Sequence, residues 1–141
     1  MFLEFNESFK LSYAHLEFIH YFYDKNYGVI IMDRIPSFKA YDIRGVVPQE
    51  LNSELVYKIG RALALYLNAK LIVIGRDVRK SSLELSQALA NGLNDAGCDV
   101  IDIGLCGTEM IYFGTPYLNA DGGVMITASH NPPQYNGLKF V

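Results

Sequence analysis

The stretch of this sequence best suited to chemistry lies near its carboxyl end and reads TASHNPP at residues 127–133, followed by NGLK at 136–139. Small and β-branched residues at 122–127 predict a strand that leads into it. The prolines end regular structure, because the ring fixes φ and restricts the preceding residue. We therefore expect Ser129 and His130 on a stiff, exposed loop that suits a phosphorylated nucleophile, with Lys139 close behind. The alternative is an ordinary polar turn, since these residue types are common in turns.

Two helix patterns upstream of this loop alternate with apolar strand patterns. Residues 52–68 predict a helix that begins at the N-cap Asn52, and residues 71–75 predict a strand buried on both faces. Ser81 and Glu84 form a capping-box pattern for a second helix, which ends at Gly97. The first helix should place toward the core a stripe of apolar residues at four-residue spacing: Leu51, Leu55, Ile59, Leu63 and Leu67.

A further strand pattern at 99–104 precedes a short helix with Thr108 as its expected N-cap. Strands and helices alternate, with roughly 20–25 residues between strands, which favours right-handed crossovers and a mostly parallel sheet. The short helix is expected to turn five residues toward the core: Met110, Ile111, Phe113, Gly114 and Tyr117.

Two earlier segments carry arginines beside glycines. In FKAYDIRG at 38–45, a loop after a short strand, Arg44 is able to reach a phosphate or to pair with Asp42. GRDVR at 75–79 follows a predicted strand directly, where ligands bind in open α/β sheets. It is placed either to meet an anion or support the serine loop, or to form a solvated charged turn.

The composition excludes several classes of protein. Half of the 141 residues are hydrophobic, which is enough for one domain with a core. There is no basic stripe for nucleic acid, no apolar run long enough for a membrane helix, and no signal-peptide pattern. Cys98 and Cys106 are too few for a disulfide framework and fit reduced thiols in a cytoplasmic protein.

Residues 1–33 differ from the rest of the chain. They are rich in aromatic residues and hold five acidic and two basic residues, so the whole net charge of −3 lies there. The segment either docks a partner or is an extension from an upstream start codon, with Met32 as the natural first residue; we favour the extension. Leu11, His15, Phe18 and Phe22 fit one helical face, and residues 29–32 fit a short strand. Nothing marks His15 or His20 as a ligand.

The serine stretch, together with NGLK, resembles the active-site loop of the α-D-phosphohexomutases, the phosphomannomutase and phosphoglucomutase superfamily. FKAYDIRG, GRDVR and GTEMIYF at 107–113 resemble other segments of that family, in the expected order. The resemblance covers residues 32–141 and is strongest to bacterial phosphomannomutases. It implies that residues 34–141 are domain I, a three-layer α/β/α sandwich with a mostly parallel or mixed sheet.

The resemblance also implies a reaction. Ser129 would carry a phosphoryl group and pass it between hexose 1-phosphate and hexose 6-phosphate through a hexose 1,6-bisphosphate. Lys139 and Arg44 would stabilise the transferring group and help move the hydroxyl proton, while His130 would contact the sugar or the reacting oxygen. The phosphate on Ser129 would bind Mg²⁺. Further substrate or phosphate contacts are expected from Tyr41, Arg76, Arg79 and Asn131.

One departure qualifies this expectation. Family members have four domains, and their metal-binding aspartates and sugar-selecting loop lie in later domains that this sequence lacks. The isolated chain is therefore expected to be inactive, with domains II–IV of the same enzyme as its natural partners. Two other functions stay open: an inactive remnant that binds a partner, and a serine hydrolase. The hydrolase is disfavoured because His130 is adjacent to Ser129 and there is no Gly-x-Ser-x-Gly elbow.

Overall fold

Five strands and three helices follow one another in residues 36–39 and 42–141, the part of the chain that this computed structural model describes. Their bounds in chain order are β1 Ile43–Val46, α1 Ser53–Leu67, β2 Leu71–Arg76, α2 Ser82–Asp95, β3 Asp99–Leu105, α3 Thr108–Tyr117, β4 Gly122–Ile126 and β5 Tyr135–Phe140.

The strands form one mixed sheet in the order β1-β5-β4-β2-β3. β2 pairs in parallel with both β3 and β4, as the crossover spacing predicts. β5 runs antiparallel to β4, and β1 runs antiparallel to β5. All three parallel strands therefore present their carboxyl ends at the same edge of the sheet, and β5 returns directly from the loop that follows β4.

Helices cover both faces of the sheet, which confirms the three-layer α/β/α expectation. Side chains alternate between faces along a strand, so neighbouring residues of β2 belong to different layers. Ile72 and Ile74 are fully buried in the larger core, under α1 and α2. Val73 belongs to a smaller core with Ile111 of α3 and Met125 of β4.

The ends of α1 and α2 follow local chemistry, with one correction. Asn52 caps α1 as predicted, and its side-chain oxygen accepts from the N–H of Leu55 at 2.9 Å. The capping box predicted for α2 does not form. Ser81 has helical backbone angles and makes no cap bond, because its hydroxyl accepts from Asn136. Glu84 instead accepts from the hydroxyl of Ser53 in α1. Gly97 follows α2 with a φ of 84°, a left-handed conformation that glycine adopts without a steric penalty.

Helix α3 departs further from expectation. Its N-cap is Gly107, so Thr108 already lies inside the helix. Ile111 and Gly114 are buried as predicted, but Met110, Phe113 and Tyr117 are 48%, 60% and 71% exposed. This ten-residue helix packs on β2 and β4 along one narrow side, so the remaining apolar residues face outward.

Two other boundary predictions change. The segment around Gly45 is itself strand β1 rather than a loop after a strand. Arg44 therefore lies in the sheet opposite Gly137 of β5, and its N–H donates to the carbonyl of Ser37 at 2.7 Å. In α1, Leu63 is buried but Leu67 is 42% exposed, because the four-residue spacing drifts around the helix.

The predictions for residues 1–33 lie outside the described residues. Within the described part, no helix is long and apolar enough to cross a membrane.

Candidate active site

The candidate site is an open cleft of about 460 Å³ at the carboxyl ends of the three parallel strands. Its walls come from the segments that follow β2, β3 and β4, together with the end of β4 itself. The lining residues are Asp77, Val78, Arg79, Cys106, Gly107, Thr108, Met125, Thr127, Ser129, Asn131 and Pro133. Strand ends that meet in this way form the usual ligand crevice of an open α/β sheet.

Ser129 stands exposed on the loop after β4, as the sequence predicts for a nucleophile. Its φ of 53° is left-handed, which is uncommon for a residue with a side chain and often marks a functional position. Its backbone N–H donates to the hydroxyl of Thr127 at 2.9 Å. Its own hydroxyl oxygen lies 3.3 Å from Nδ1 of His130. The serine is therefore accessible, held by its backbone, and in contact with an imidazole.

Asp77, directly after β2, anchors the beginning of this loop. Its Oδ2 accepts from the hydroxyl of Thr127 at 2.7 Å, and its Oδ1 accepts from the hydroxyl of Ser82 at 2.6 Å. Partial burial raises the pKa of the carboxyl. The bonds from Ser82, Thr127 and the N–H of Arg79, with the charge of Arg79, outweigh burial, so the pKa lies below its ordinary value. Asp77 is therefore a fixed anion that ties β2 to the serine loop.

Arg79 binds the same loop from the side and is a half-buried residue. A guanidinium has five N–H donors, and here every one meets a protein acceptor. The acceptors are Oδ2 of Asp77 for Nε, the carbonyls of Pro132 and Tyr135 for Nη1, and the carbonyls of Ser129 and Asn131 for Nη2, at 2.8–3.1 Å. The sequence expectation that Arg79 contacts a phosphate is untested, but its donors are occupied in this structure.

Arg44 approaches the loop from β1, where it makes the pair with Asp42 that the sequence left open and a second contact that the sequence did not indicate. Its Nε forms an ion pair with Asp42 at 2.7 Å, and its Nη1 donates to the side-chain oxygen of Asn131 at 2.9 Å. Two of the predicted site residues, Arg44 and Asn131, are thus brought together across 87 positions of sequence.

Lys139 lies on the same face of the sheet as Arg44. Arg44 is paired with Gly137, and Lys139 is two residues further along β5, so both side chains project to the face that carries α3. A Cβ on Gly137 would be 2.3 Å from the carbonyl oxygen of Ile43, so the two strands need glycine there. The ammonium of Lys139 lies 5.4 Å from the ring centroid of Tyr112, a cation–π distance.

Of the two remaining predicted site residues, Arg76 and Tyr41, only Arg76 lies in the described part of the chain. Arg76 ends β2 and lies 3.9 Å from Asp102 of β3, and it is absent from the lining of the cleft. Tyr41 falls outside the described residues.

Sequence reasoning did not assign Asp77, Thr127 or Asn136 to the site. Asn136 is fully buried and donates to the hydroxyls of Ser81 and Ser82, while its oxygen accepts from the N–H of Gly137. The sequence did contain an indication of their role, because all three residues lie inside the motifs GRDVR, TASHNPP and NGLK. Their partners are 50 or more residues away, and such pairings cannot be inferred from spacing alone.

The described residues do not by themselves fit a magnesium ion. None of them form a group of three His, Cys, Asp or Glu side chains that could hold a metal. The carboxylate that lines the cleft, Asp77, already accepts hydrogen bonds from four donors. Cys98 and Cys106 are both free, as expected, and burial raises the pKa of both thiols, so neither is a thiolate nucleophile at neutral pH.

Comparison with known proteins gives a consistent answer. Residues 36–141 match the family described as phosphoglucomutase/phosphomannomutase, alpha/beta/alpha domain I. The chain is 59% identical over 107 residues to a protein of Xanthomonas campestris pv. campestris called phosphohexose mutases. That match covers 76% of this chain and 24% of that protein. It is 56% identical over 110 residues to the phosphomannomutase of Salmonella typhimurium, covering 78% and 24%. A phosphomannomutase of Klebsiella pneumoniae is also 56% identical over 110 residues, and there the match covers 70% of that protein.

Solved structures agree with this. A phosphoglucomutase/phosphomannomutase family protein of Burkholderia thailandensis superposes with a TM-score of 0.71 at 40% identity, covering 78% of this chain and 26% of that one. A phosphomannomutase structure described as putative, from Thermus thermophilus, also gives a TM-score of 0.71, at 34% identity. The chain spans about a quarter of the length of most of these relatives. The chain belongs to the phosphoglucomutase/phosphomannomutase family, and residues 36–141 form its alpha/beta/alpha domain I.

Proposed function

We propose that this chain is the nucleophile-bearing domain of a phosphohexomutase of the phosphomannomutase type, and that Ser129 carries the phosphoryl group. The observation that carries the proposal is the placement of Ser129. Its hydroxyl is exposed at the carboxyl ends of the parallel strands, and hydrogen bonds hold the peptide groups on both sides of its Cα. In-line phosphoryl transfer depends on such positioning, because the protein contributes little covalent chemistry to it.

The proposed step exchanges one O–P bond for another. The bond between Oγ of Ser129 and phosphorus breaks, and phosphorus forms a new bond to a hydroxyl oxygen of the hexose phosphate. The proton of that hydroxyl is lost, and the serine oxygen gains one, which gives a hexose 1,6-bisphosphate and a free serine. The reverse transfer from the other phosphate restores the phosphoserine. We propose that His130, whose Nδ1 lies 3.3 Å from Oγ, donates the proton that the serine oxygen gains.

The charge of the transferring group needs cations, and Arg44 and Lys139 are the proposed source. Both project from neighbouring strands to one face of the sheet, and Arg44 is bonded to Asn131 of the serine loop. Fixed positive charge near a transferring phosphoryl group stabilises the transition state. Tyr41 and Arg76 are proposed to contact substrate phosphate, on the family resemblance alone.

Mg²⁺ and the remaining domains are also proposals. Oxygens of a phosphate on Ser129 are hard ligands that Mg²⁺ prefers, and the other ligands would come from outside residues 36–141. In the Xanthomonas campestris and Salmonella typhimurium relatives, about three-quarters of the protein lies outside the region matched here. We propose domains II–IV of a mutase as the partners of this domain, a hexose phosphate as substrate, and the cytoplasm as compartment.

The test uses a joined enzyme, in which residues 36–141 replace the matched region of the Salmonella typhimurium phosphomannomutase. After incubation with a hexose 1,6-bisphosphate, intact-mass analysis should show the gain of one phosphate, and fragmentation should place it on Ser129. Ser129→Ala should gain none and should lose activity on mannose 1-phosphate. Phosphate on another residue, or activity that survives Ser129→Ala, would exclude Ser129 as the carrier.

The 141-residue chain alone should give no measurable conversion of mannose 1-phosphate or glucose 1-phosphate, with Mg²⁺ and bisphosphate supplied. The proposal predicts this because the described residues form no metal cluster and about three-quarters of the Salmonella typhimurium phosphomannomutase is unmatched. Turnover by the purified chain would show that the site is complete without other domains.

A second candidate function, a partner-binding module without catalysis, is favoured by the exposed side of α3. Tyr112 and Phe113 are 51% and 60% exposed there, and the Phe113 ring stacks on that of Tyr117.

A serine hydrolase has less support. Ser129 and His130 do make contact, but among the described residues no carboxylate is bonded to the imidazole to orient it as in a triad. Absence of any phosphoserine in the joined enzyme would favour the binding module over the mutase.

A further inference from the structure

We propose that Arg79 is a positioning residue for the nucleophile, which clamps the serine loop through its carbonyls, and that it does not contact substrate phosphate. The proposal rests on the role of Ser129 proposed above. It concerns the residue that sets the direction of the hydroxyl, and it changes the role that the family resemblance suggested for Arg79.

The first argument is the occupancy of its donors. All five N–H groups of the guanidinium meet acceptors of the protein, four of them main-chain carbonyls between Ser129 and Tyr135. The side chain is only 12% exposed. A phosphate could bind this guanidinium only by displacing carbonyls that would then lack partners, at a cost comparable to the bonds gained. A phosphate-binding arginine should instead present at least one pair of free donors to solvent.

The second argument is the backbone that the clamp maintains. Ser129 has a φ of 53°, which serine adopts rarely and which persists when the surroundings impose it. The peptide before its Cα is fixed by the bond from its N–H to Thr127, and Thr127 is held by Asp77. The peptide after its Cα is fixed by the bond from Arg79 to the carbonyl of Ser129. Asp77 and Arg79 are themselves paired at 3.1 Å. One ion pair therefore anchors both peptide groups that determine where Cβ and Oγ point.

The third argument concerns the choice of arginine. Four carbonyls and one carboxylate oxygen surround one planar group that has five donors in a fixed fork. Lysine has the same charge but only three donors on a single nitrogen, so it cannot make these five bonds. The clamp thus predicts that Arg79→Lys fails nearly as completely as Arg79→Ala, whereas a role based on charge alone predicts that lysine retains much of the function.

The first experiment uses the chain itself and does not depend on catalysis. Amide hydrogen exchange is measured for wild type, Arg79→Lys and Arg79→Ala, with Arg61→Lys on the exposed surface of α1 as the matched control. The amides of Ser129, Asn131 and Tyr135 are hydrogen-bonded within the loop and should exchange roughly tenfold faster or more in both Arg79 variants. Amides of α1 should be unchanged. If Arg79→Ala does not fold, Arg79→Lys decides the question.

The second experiment measures kinetics in the joined enzyme. Displacement of the nucleophile should lower kcat by about 10²-fold in both Arg79 variants, while KM for the hexose phosphate changes by less than about threefold. A merely structural role would not separate kcat from KM in a protein that stays folded at the assay temperature.

Four results would overturn the proposal. Unchanged exchange of the loop amides in Arg79→Lys would show that there is no clamp. A tenfold rise in KM with little change in kcat, or near-wild-type activity of Arg79→Lys, would assign Arg79 to phosphate binding. If the wild-type joined enzyme gains no phosphate on Ser129, the proposed function fails and the positioning role with it. The exchange data would then still show whether Arg79 holds the loop.

Discussion

Replacing Asp77 by asparagine should test the anchoring of the serine loop with almost no change in size. The carboxylate accepts four hydrogen bonds, from the hydroxyls of Ser82 and Thr127 and from the N–H and Nε–H of Arg79. Asparagine offers one acceptor oxygen and places an NH₂ group where the other oxygen was. In either orientation of the amide, one N–H of Arg79 faces this NH₂ group and loses its partner.

The expected loss of stability follows from that count. A hydrogen bond to a charged group contributes more than a neutral one, and a buried donor without a partner costs about 1–3 kcal/mol. Asp77 is 22% exposed at its side chain, so water screens the loss only in part. We expect Asp77→Asn to lower the free energy of unfolding by roughly 2–4 kcal/mol. Asp99→Asn, on an exposed residue of β3, is the matched control and should change it by less than about 0.5 kcal/mol.

Urea unfolding at several pH values gives the measurement. The pKa of Asp77 is lowered from its ordinary value of 3.8 in the folded protein. Its stabilising contribution is therefore complete above about pH 4 and is lost as the pH falls through the folded pKa. Wild type should lose more stability than Asp77→Asn between about pH 4 and pH 2, and the two should converge at the acid end. Equal stability of the two proteins at pH 7, or parallel pH profiles, would refute the idea that this carboxylate anchors the loop.

Three further predictions concern other parts of the chain. Lys139→Met in the joined enzyme should lower kcat by about 10²–10³-fold, measured on mannose 1-phosphate, because it removes a charge proposed to face the transferring group; a loss below threefold would place Lys139 outside the chemistry. Gly137→Ala should cost at least about 1–3 kcal/mol in urea unfolding, since its Cβ would be 2.3 Å from the carbonyl oxygen of Ile43. Its control, Gly114→Ala in α3, has no heavy atom nearer than 3.8 Å and should be neutral or stabilising. Deletion of residues 1–31 should lower Tm by no more than a few degrees, on the order of 1 kcal/mol, and loss of cooperative unfolding would show that this segment completes the core.

The regular elements could be predicted from sequence where one residue type decides the local outcome. Asn52 and Gly97 set helix ends through a side-chain oxygen and a left-handed backbone, both of which are properties of single residues. The strand of residues 71–75 was equally clear, since a continuous apolar run suits burial on both faces. Ser81 shows the limit of this reasoning. Its capping pattern was present, but a long-range bond from Asn136 engaged the hydroxyl instead.

The site was predicted in its position and residue types but not in its connections. Resemblance and strand order placed Ser129 at the carboxyl edge of the sheet, where the structure has it. The contact between Arg44 and Asn131 depends on β1 pairing with β5, and no local pattern in a four-residue strand indicates its partner. The outward side of α3 was mispredicted for a related reason. An apolar residue is buried only when another layer covers it, and Phe113 is 60% exposed.

The carbonyls gathered by Arg79 also determine which way the loop's amide hydrogens point. In a trans peptide the C=O and N–H groups point in opposite directions, so a carbonyl turned inward turns the following N–H outward. The carbonyls of Asn131 and Pro132 precede prolines, which have no N–H, so turning them inward exposes no donor. The carbonyl of Ser129 precedes His130, and the N–H of His130 is therefore directed away from the guanidinium. The loop thus presents a main-chain donor immediately after the serine, on the side opposite the guanidinium.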